Sequence, residues 1–276
     1  MQGIELKEFQ IDCVNKLLDA TTVGIKKEVL VQAPTGSGKT IILLDYIEEY
    51  TEENKNTIFV WLTPGKGDLE EKMTRYLPSL NSKNITDILL HGFEAGDTAF
   101  INWETITKKG NTALKEAERK NLFERIDEAF NRSYNFIVIV DEEHENTYKQ
   151  QDPAPRYHAR NAAIVLASMH GAKTLLGSAT PALESYYNAQ QGKYGFVELT
   201  SRFEDIQLPR ILVANTQELR RKKQMTGNIS PLLLDEANQA LKRGEQVILF
   251  QNRRGFAPVI ECKLCAWVPK CKYCDV

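Results

Sequence analysis

The run Ala33-Pro34-Thr35-Gly36-Ser37-Gly38-Lys39-Thr40 holds the residue types needed to grip a polyphosphate. Its glycines let backbone N–H groups curl round a phosphate, and the helix that follows adds its positive end. In this Walker A pattern, with alanine at the first glycine position, Lys39 reaches the β- and γ-phosphates and the Thr40 hydroxyl binds Mg²⁺. A second run, Phe136-Ile-Val-Ile-Val-Asp141-Glu142-Glu143-His144, is an apolar strand that ends in carboxylates. Asp141 is placed to hold Mg²⁺ through water and Glu142 to polarise an attacking water. An acidic turn after a strand is common on solvated surfaces. The phosphate loop upstream turns this one toward chemistry. His144 is the less defined member, since a lone histidine is more often structural.

Four of the five cysteines, Cys262, Cys265, Cys271 and Cys274, crowd the last fifteen residues as two C-x-x-C pairs. Paired thiolates at this spacing suit a tetrahedral Zn²⁺, in a reducing compartment such as the cytoplasm. Two pairs closing on one ion are usually separated by ~12–20 residues, whereas five lie between Cys265 and Cys271. Cys13 falls on the apolar face of a helix and reads as a core residue.

These groups need elements to hold them. Leu6, Phe9, Cys13, Leu17 and Leu18 recur at helical spacing over residues 5–20. A strand is predicted at Val29–Ala33, before the loop, and a helix from about Thr40. Short apolar runs at Ile58–Leu62, Ala99–Asn102, Phe136–Asp141 and Thr174–Gly177 read as buried parallel strands. Helical stretches near 67–77, 112–130 and 158–169 separate them. The alternation predicts an α/β domain with a mostly parallel sheet over 1–200. Residues 201–228, with Pro209 and the basic run Arg220–Lys223, read as a linker. A helix at Pro231–Arg243 and a strand at Gln246–Phe250 open a second, truncated unit over 229–276.

Composition excludes other classes. Hydrophobic residues make up 42% and charged residues 26% of 276, which excludes a wholly disordered chain. No apolar run approaches the ~20 residues of a membrane span, and no signal peptide is visible. Lys plus Arg is 35 against 37 Asp plus Glu, so the net charge is −2. Nucleic-acid binding would therefore depend on a local patch.

APTGSGKT, DEEH and Ser178-Ala179-Thr180, in that order, resemble motifs I, II and III of the superfamily 2 helicases and translocases. Phe9-Gln10 resembles the Q motif, whose glutamine reads adenine. From about 138 onward, VDEEHENTYKQQ, RYHARN, LLGSATPALES, QLPRILV, EQVILFQNRRGFAP and CKLCAWVPKCKYC resemble the primosomal replication-restart helicases of the PriA family. Over about 5–137, QAPTGSGKTIILL, FVWLTPGKGDLEEKM and AFINWETI resemble the motor subunit of type III restriction enzymes.

The resemblance implies a RecA-like P-loop NTPase domain and the start of a second RecA-like domain that carries a zinc insertion over 261–276. It implies ATP, Mg²⁺ and Zn²⁺ as ligands, with single-stranded or forked DNA and replication-restart proteins as partners. His144, Ser178, Ala179 and Thr180 would couple the nucleotide site to DNA. Pro64, Gly65 and Lys66 would grip the DNA backbone as motif Ia. Arg253 and Arg254 would face DNA or the cleft between domains. Tyr148, Lys149, Arg156, Tyr157, His158 and Arg160 interleave rings and cations, which suits stacked bases and phosphates. Spacing alone equally allows a surface loop with two packing tyrosines; the resemblance favours DNA. PriA-like helicases bind two zincs through eight interleaved cysteines, so the two pairs here would serve different ions. Motifs V and VI are not recognisable, and turnover is expected to need them. The expected function is an ATP-dependent DNA helicase or translocase of the replication-restart type. The alternatives are a type III restriction motor and an ATP- and DNA-binding module without turnover.

Overall fold

The computed structural model of the chain describes residues 5–64, 69–102, 122–150, 156–201, 210–250 and 262. The chain divides into two units, residues 1–206 and 207–276.

In the first unit the apolar runs become strands β1 (Glu28–Gln32), β2 (Thr57–Thr63), β4 (Thr98–Asn102) and β5 (Asn135–Asp141), and a polar strand β3 (Ser82–Asn84) precedes β4. After them come a two-residue hairpin, β6 (Lys149–Gln150) and β7 (Tyr157–His158), then β8 (Lys173–Ser178) and β9 (Gly195–Glu198). Among the described residues one sheet has the order β3-β4-β2-β5-β8-β1-β9, with every neighbouring pair parallel. Strands β6 and β7 pair antiparallel, as a separate ribbon.

Parallel strands must be covered on both faces, and their alternating side chains do this. Val29, Val31, Ile137, Ile139 and Leu175 point into one core. Leu30, Val140 and Leu176 point into the other. The first core is closed by α1 (Glu8–Thr22) through Cys13, Val14 and Leu17. Helix α2 (Lys39–Glu53) adds Ile42, Leu43, Tyr46 and Ile47, and Met73 comes from α3 (Leu69–Tyr76). The opposite face is covered by α4 (Ile85–His91), α5 (Leu122–Asn131), α6 (Ala159–Met169) and α7 (Leu183–Gln190), through Ile88, Ala129, Ala167 and Ala189. Cys13 is buried as expected, and burial pushes its thiol up to about 11.

The sequence did not reveal β3, α4, the ribbon or β9. Strand β3 is Ser-Lys-Asn, with no apolar residue to mark it. It is anchored by Lys83, whose ammonium lies 3.0 Å from the fully buried Asp97 carboxylate. Part of the helix expected over 112–130 falls outside the described residues.

The second unit contains α8 (Thr216–Arg221) and α9 (Pro231–Lys242). Helix α8 lies inside the stretch read as a linker. Helix α9 starts where sequence placed it, with Ser230 Oγ accepting from the Leu233 N–H and Pro231 in the first turn. The strand expected at Gln246–Phe250 does not form: among the described residues these amides have no partner strand, and Ile248, Leu249 and Phe250 stand exposed. No described helix is long and apolar enough to cross a membrane.

Leu30 is fully buried on β1, between β8 and β9. Leu30→Ala should lower unfolding free energy by about 2–5 kcal/mol in urea titration, through lost burial and a residual cavity. A loss near zero would remove β1 from the core.

Candidate functional site

Strand β1 ends at Gln32, and the chain turns through the phosphate loop into α2. Gly36 and Gly38 have φ of +82° and +83°, a region that side chains rarely adopt. The loop is closed by the Ser37 N–H donating to the Pro34 carbonyl (3.0 Å). The Ile41 and Ile42 N–H groups then start α2 by donating to the Gly38 carbonyl. Lys39 and Thr40 thus sit in the first turn of a fifteen-residue helix, at its positive end.

Gln10 supports this loop from α1. It is buried, and its Nε2 donates to the Ser37 carbonyl (2.9 Å) while its Oε1 accepts from the Lys7 N–H (2.9 Å). A Cβ at Gly38 would fall 2.5 Å from that Nε2. Gln10, which the Q-motif resemblance expects to read adenine, is in this structure a buttress of the phosphate loop, a role that spacing did not suggest.

Two strands away, β5 delivers the acidic turn. The Lys39 ammonium lies 2.9 Å from Asp141 Oδ1 and also pairs with the Glu142 carboxylate. Asp141 Oδ1 accepts in addition from the Glu142 N–H (3.1 Å). Glu142 has φ +50°, an uncommon conformation for a residue with a side chain and one that functional turns hold under constraint. The lysine ammonium is itself a cation seated between the two carboxylates. That donor set suits Mg²⁺, with Thr40 and Asp141 as the residues that would hold it.

His144 bridges to β8. Its Nδ1 lies 2.7 Å from Ser178 Oγ, and its Nε2 3.4 Å from Thr180 Oγ1. Ser178 Oγ also accepts from the Thr180 N–H (3.0 Å). The Ala33 N–H donates to the Ser178 carbonyl (3.0 Å), which joins this segment to the phosphate loop. Gln10, Pro34–Thr40, Asp141, Glu142, His144 and Ser178–Thr180 therefore gather at the carboxyl ends of β1, β5 and β8. Ligands bind at this edge in open parallel sheets.

The expected DNA-facing residues divide. Arg156 is exposed and Tyr157 half-buried, at the start of β7. Pro64 is partly exposed just beyond β2, at the same sheet edge. Tyr148 and Arg160 are corrections. Tyr148 is fully buried, with its hydroxyl 2.8 Å from the Asp141 carbonyl oxygen and 3.2 Å from that of Leu62. Burial raises its phenol, and its ring stacks on His158. No face is left for a base. Arg160 is 5% exposed and pairs with the fully buried Glu143, so its charge does not reach a phosphate. Burial likewise lowers the His158 imidazole. Gly65, Lys66, Arg253, Arg254, Cys265, Cys271 and Cys274 lie outside the described residues. Cys262 is half-buried, and the described residues contain no cluster of His, Cys, Asp or Glu that could hold a metal ion.

Sequence reasoning passed over Glu143. Its carboxylate accepts from Arg160 Nη1 (2.6 Å), the Ala182 N–H (2.6 Å) and Ser185 Oγ (2.9 Å). Three donors from two distant segments meet on one buried acid. The only sequence signal was a carboxylate between Glu142 and His144.

A parallel α/β domain with a phosphate loop facing an Asp-Glu-Glu-His turn defines the P-loop nucleotide-binding class. Within it, the chain belongs to the family of the type III restriction enzyme res subunit, whose family model matches residues 3–183. The chain is also 36% identical over 246 residues to the replication restart protein PriA of Haemophilus influenzae, covering 89% of this chain and 31% of that protein. It is 33% identical over 251 residues to PriA of Bacillus subtilis, covering 91% and 29%. The chain thus spans about a third of the length of these relatives. The 246 aligned residues exceed the stretch from 138 onward, so the two resemblances overlap and do not meet at a seam. Among solved structures, a nuclease-deletion mutant of the Type ISP restriction-modification enzyme LlaGI in complex with a DNA substrate mimic is similar, at 14% identity and a TM-score of 0.44. That match covers 87% of this chain and 23% of that one.

Lys39 carries the positive side-chain charge at the mouth of the loop. Lys39→Ala should abolish ATP binding by calorimetry while leaving the melting temperature near the wild-type value. Equal affinity in both proteins would place the nucleotide elsewhere.

Proposed function

We propose that this chain is the nucleotide-binding half of an ATP-dependent DNA motor, a helicase or translocase of the replication-restart type. The observation that carries the reading is the convergence of Lys39, Asp141, Glu142 and His144 with Ser178 and Thr180 at one sheet edge. Lys39 neutralises charge on the β- and γ-phosphates, and the phosphate-loop amides bind the same oxygens. Thr40 and Asp141 would hold Mg²⁺, which would offset phosphate charge when bound. Glu142 orients the attacking water and accepts its proton. His144 transmits the state of this turn to Ser178 and Thr180, and through the Ser178 carbonyl to the phosphate loop.

The DNA side rests on the exposed Arg156 and the half-buried Tyr157 beside it at the start of β7, and on the likeness to the PriA relatives. Replication restart, with its partner proteins, is inferred from PriA. Zinc held through Cys262, Cys265, Cys271 and Cys274 belongs to the same proposal. The family match over 3–183 supports a second reading, the motor of a restriction system.

The test is ATP turnover by the chain with and without single-stranded DNA, beside Glu142→Gln and a Tyr157→Ala, Arg156→Ala pair. Single-strand binding should weaken by about 1–3 kcal/mol for the lost stack in Tyr157→Ala and decline with salt. Glu142→Gln should bind ATP and lose whatever turnover the wild type has. DNA affinity unchanged in both loop variants would confine the chain to nucleotide binding.

A further inference from the structure

Asp141, Glu142, Glu143 and His144 are consecutive, yet Glu143 points away from the nucleotide site. Its side chain is fully buried, and Arg160, which neutralises it, is 5% exposed. One oxygen, Oε1, accepts from the Ala182 N–H; the other, Oε2, accepts from Arg160 Nη1 and Ser185 Oγ. The Glu143 N–H donates to the Gly177 carbonyl at the end of β8 (3.1 Å). Arg160 is fixed in turn, with its Nε donating to Asn161 Oδ1 (3.0 Å). The acidic turn is thus tied to the first turn of α6 and to the start of α7.

A buried ion pair contributes little net stability, because desolvation of both charges offsets their attraction, and apolar residues of similar volume often serve as well. What such a pair supplies is geometry: three charge-assisted hydrogen bonds allow one placement of the turn. The residue on one side of Glu143 is Glu142, held at φ +50°, and Asp141 is two residues away.

We propose that Glu143 and Arg160 form a positioning pair that sets the Asp141 carboxylate for Mg²⁺·ATP. The pair touches neither nucleotide nor metal and acts through the turn it anchors. The inference rests on the nucleotide-site reading above. Groups behind metal-binding residues commonly set metal affinity in this way.

The amide of Glu143→Gln offers one acceptor and one donor where the carboxylate offers two acceptors. Whichever way it turns, an N–H opposes either the Ala182 N–H or the Arg160 guanidinium, and the turn must shift. The experiment measures the affinity of the full chain for ATPγS with Mg²⁺ and with EDTA, and takes the ratio. Glu143→Gln should reduce that Mg²⁺ enhancement by about tenfold or more, with metal-free affinity within about twofold of wild type. Arg160→Lys, which keeps the charge, should retain most of the enhancement. Should Glu143→Gln lose cooperative melting, Arg160→Gln replaces it; this variant leaves Glu143 its Ala182 and Ser185 donors, and the same selective loss is expected.

Enhancement unchanged in the folded variants overturns the proposal. So do parallel losses with and without metal, or failure of both variants to fold, since these mark a scaffold role alone. Wild type that binds ATPγS without any Mg²⁺ enhancement also overturns it. Wild type that binds no nucleotide refutes the site reading itself.

Discussion

Parallel pairing of β5, β8 and β1 in one register is the constraint from which the rest follows. Asp141 stands opposite Gly177, and Gln32 opposite Ser178, so three strands end at one level. Two further backbone bonds extend the register beyond the strands, from Ala33 to Ser178 and from Glu143 to Gly177. Lys39 can then reach Asp141 and Glu142, more than a hundred positions away in sequence. An antiparallel arrangement would send alternate strand ends to opposite edges and separate the loop from the acidic turn.

Within that frame, four adjacent residues take different environments. Asp141 and Glu142 share the Lys39 ammonium at the mouth of the site. Glu143 is sealed in the interior against Arg160. His144 faces Ser178 and Thr180. The left-handed backbone at Glu142 makes the divergence possible, because it turns the chain between Asp141 and Glu143. Similar carboxyl groups thereby serve unlike ends: two stand where water and phosphate would reach them, and one is committed to holding the turn.

Much of this arrangement is legible in the sequence. Fully buried parallel strands write themselves as apolar runs, so β1, β2, β4, β5 and β8 were found within a residue or so. The phosphate loop and the acidic box were legible because their chemistry demands particular residue types at fixed spacing. Strand β3 was not, since an edge strand of three polar residues carries no periodicity. Tyr148 and Arg160 were misread because an aromatic or a cation has the same letter whether it faces solvent or the core. Burial there depends on the Leu62 carbonyl and on Glu143, partners that local sequence does not announce. Gln246–Phe250 failed in the opposite way: its apolar pattern was right for a strand, but strands form only in pairs, and no partner is present among the described residues.

The Gln10 amide occupies the space that a side chain at position 38 would need, and it holds the Ser37 carbonyl. The phosphate loop is therefore not a portable module. Its shape is completed by a helix that precedes β1, so a swap of the eight loop residues between relatives would carry the glycines but leave their wall behind. Positions 10 and 38 are packed as one unit, so a side chain at 38 would have to displace the Gln10 amide as well as tolerate the positive φ there.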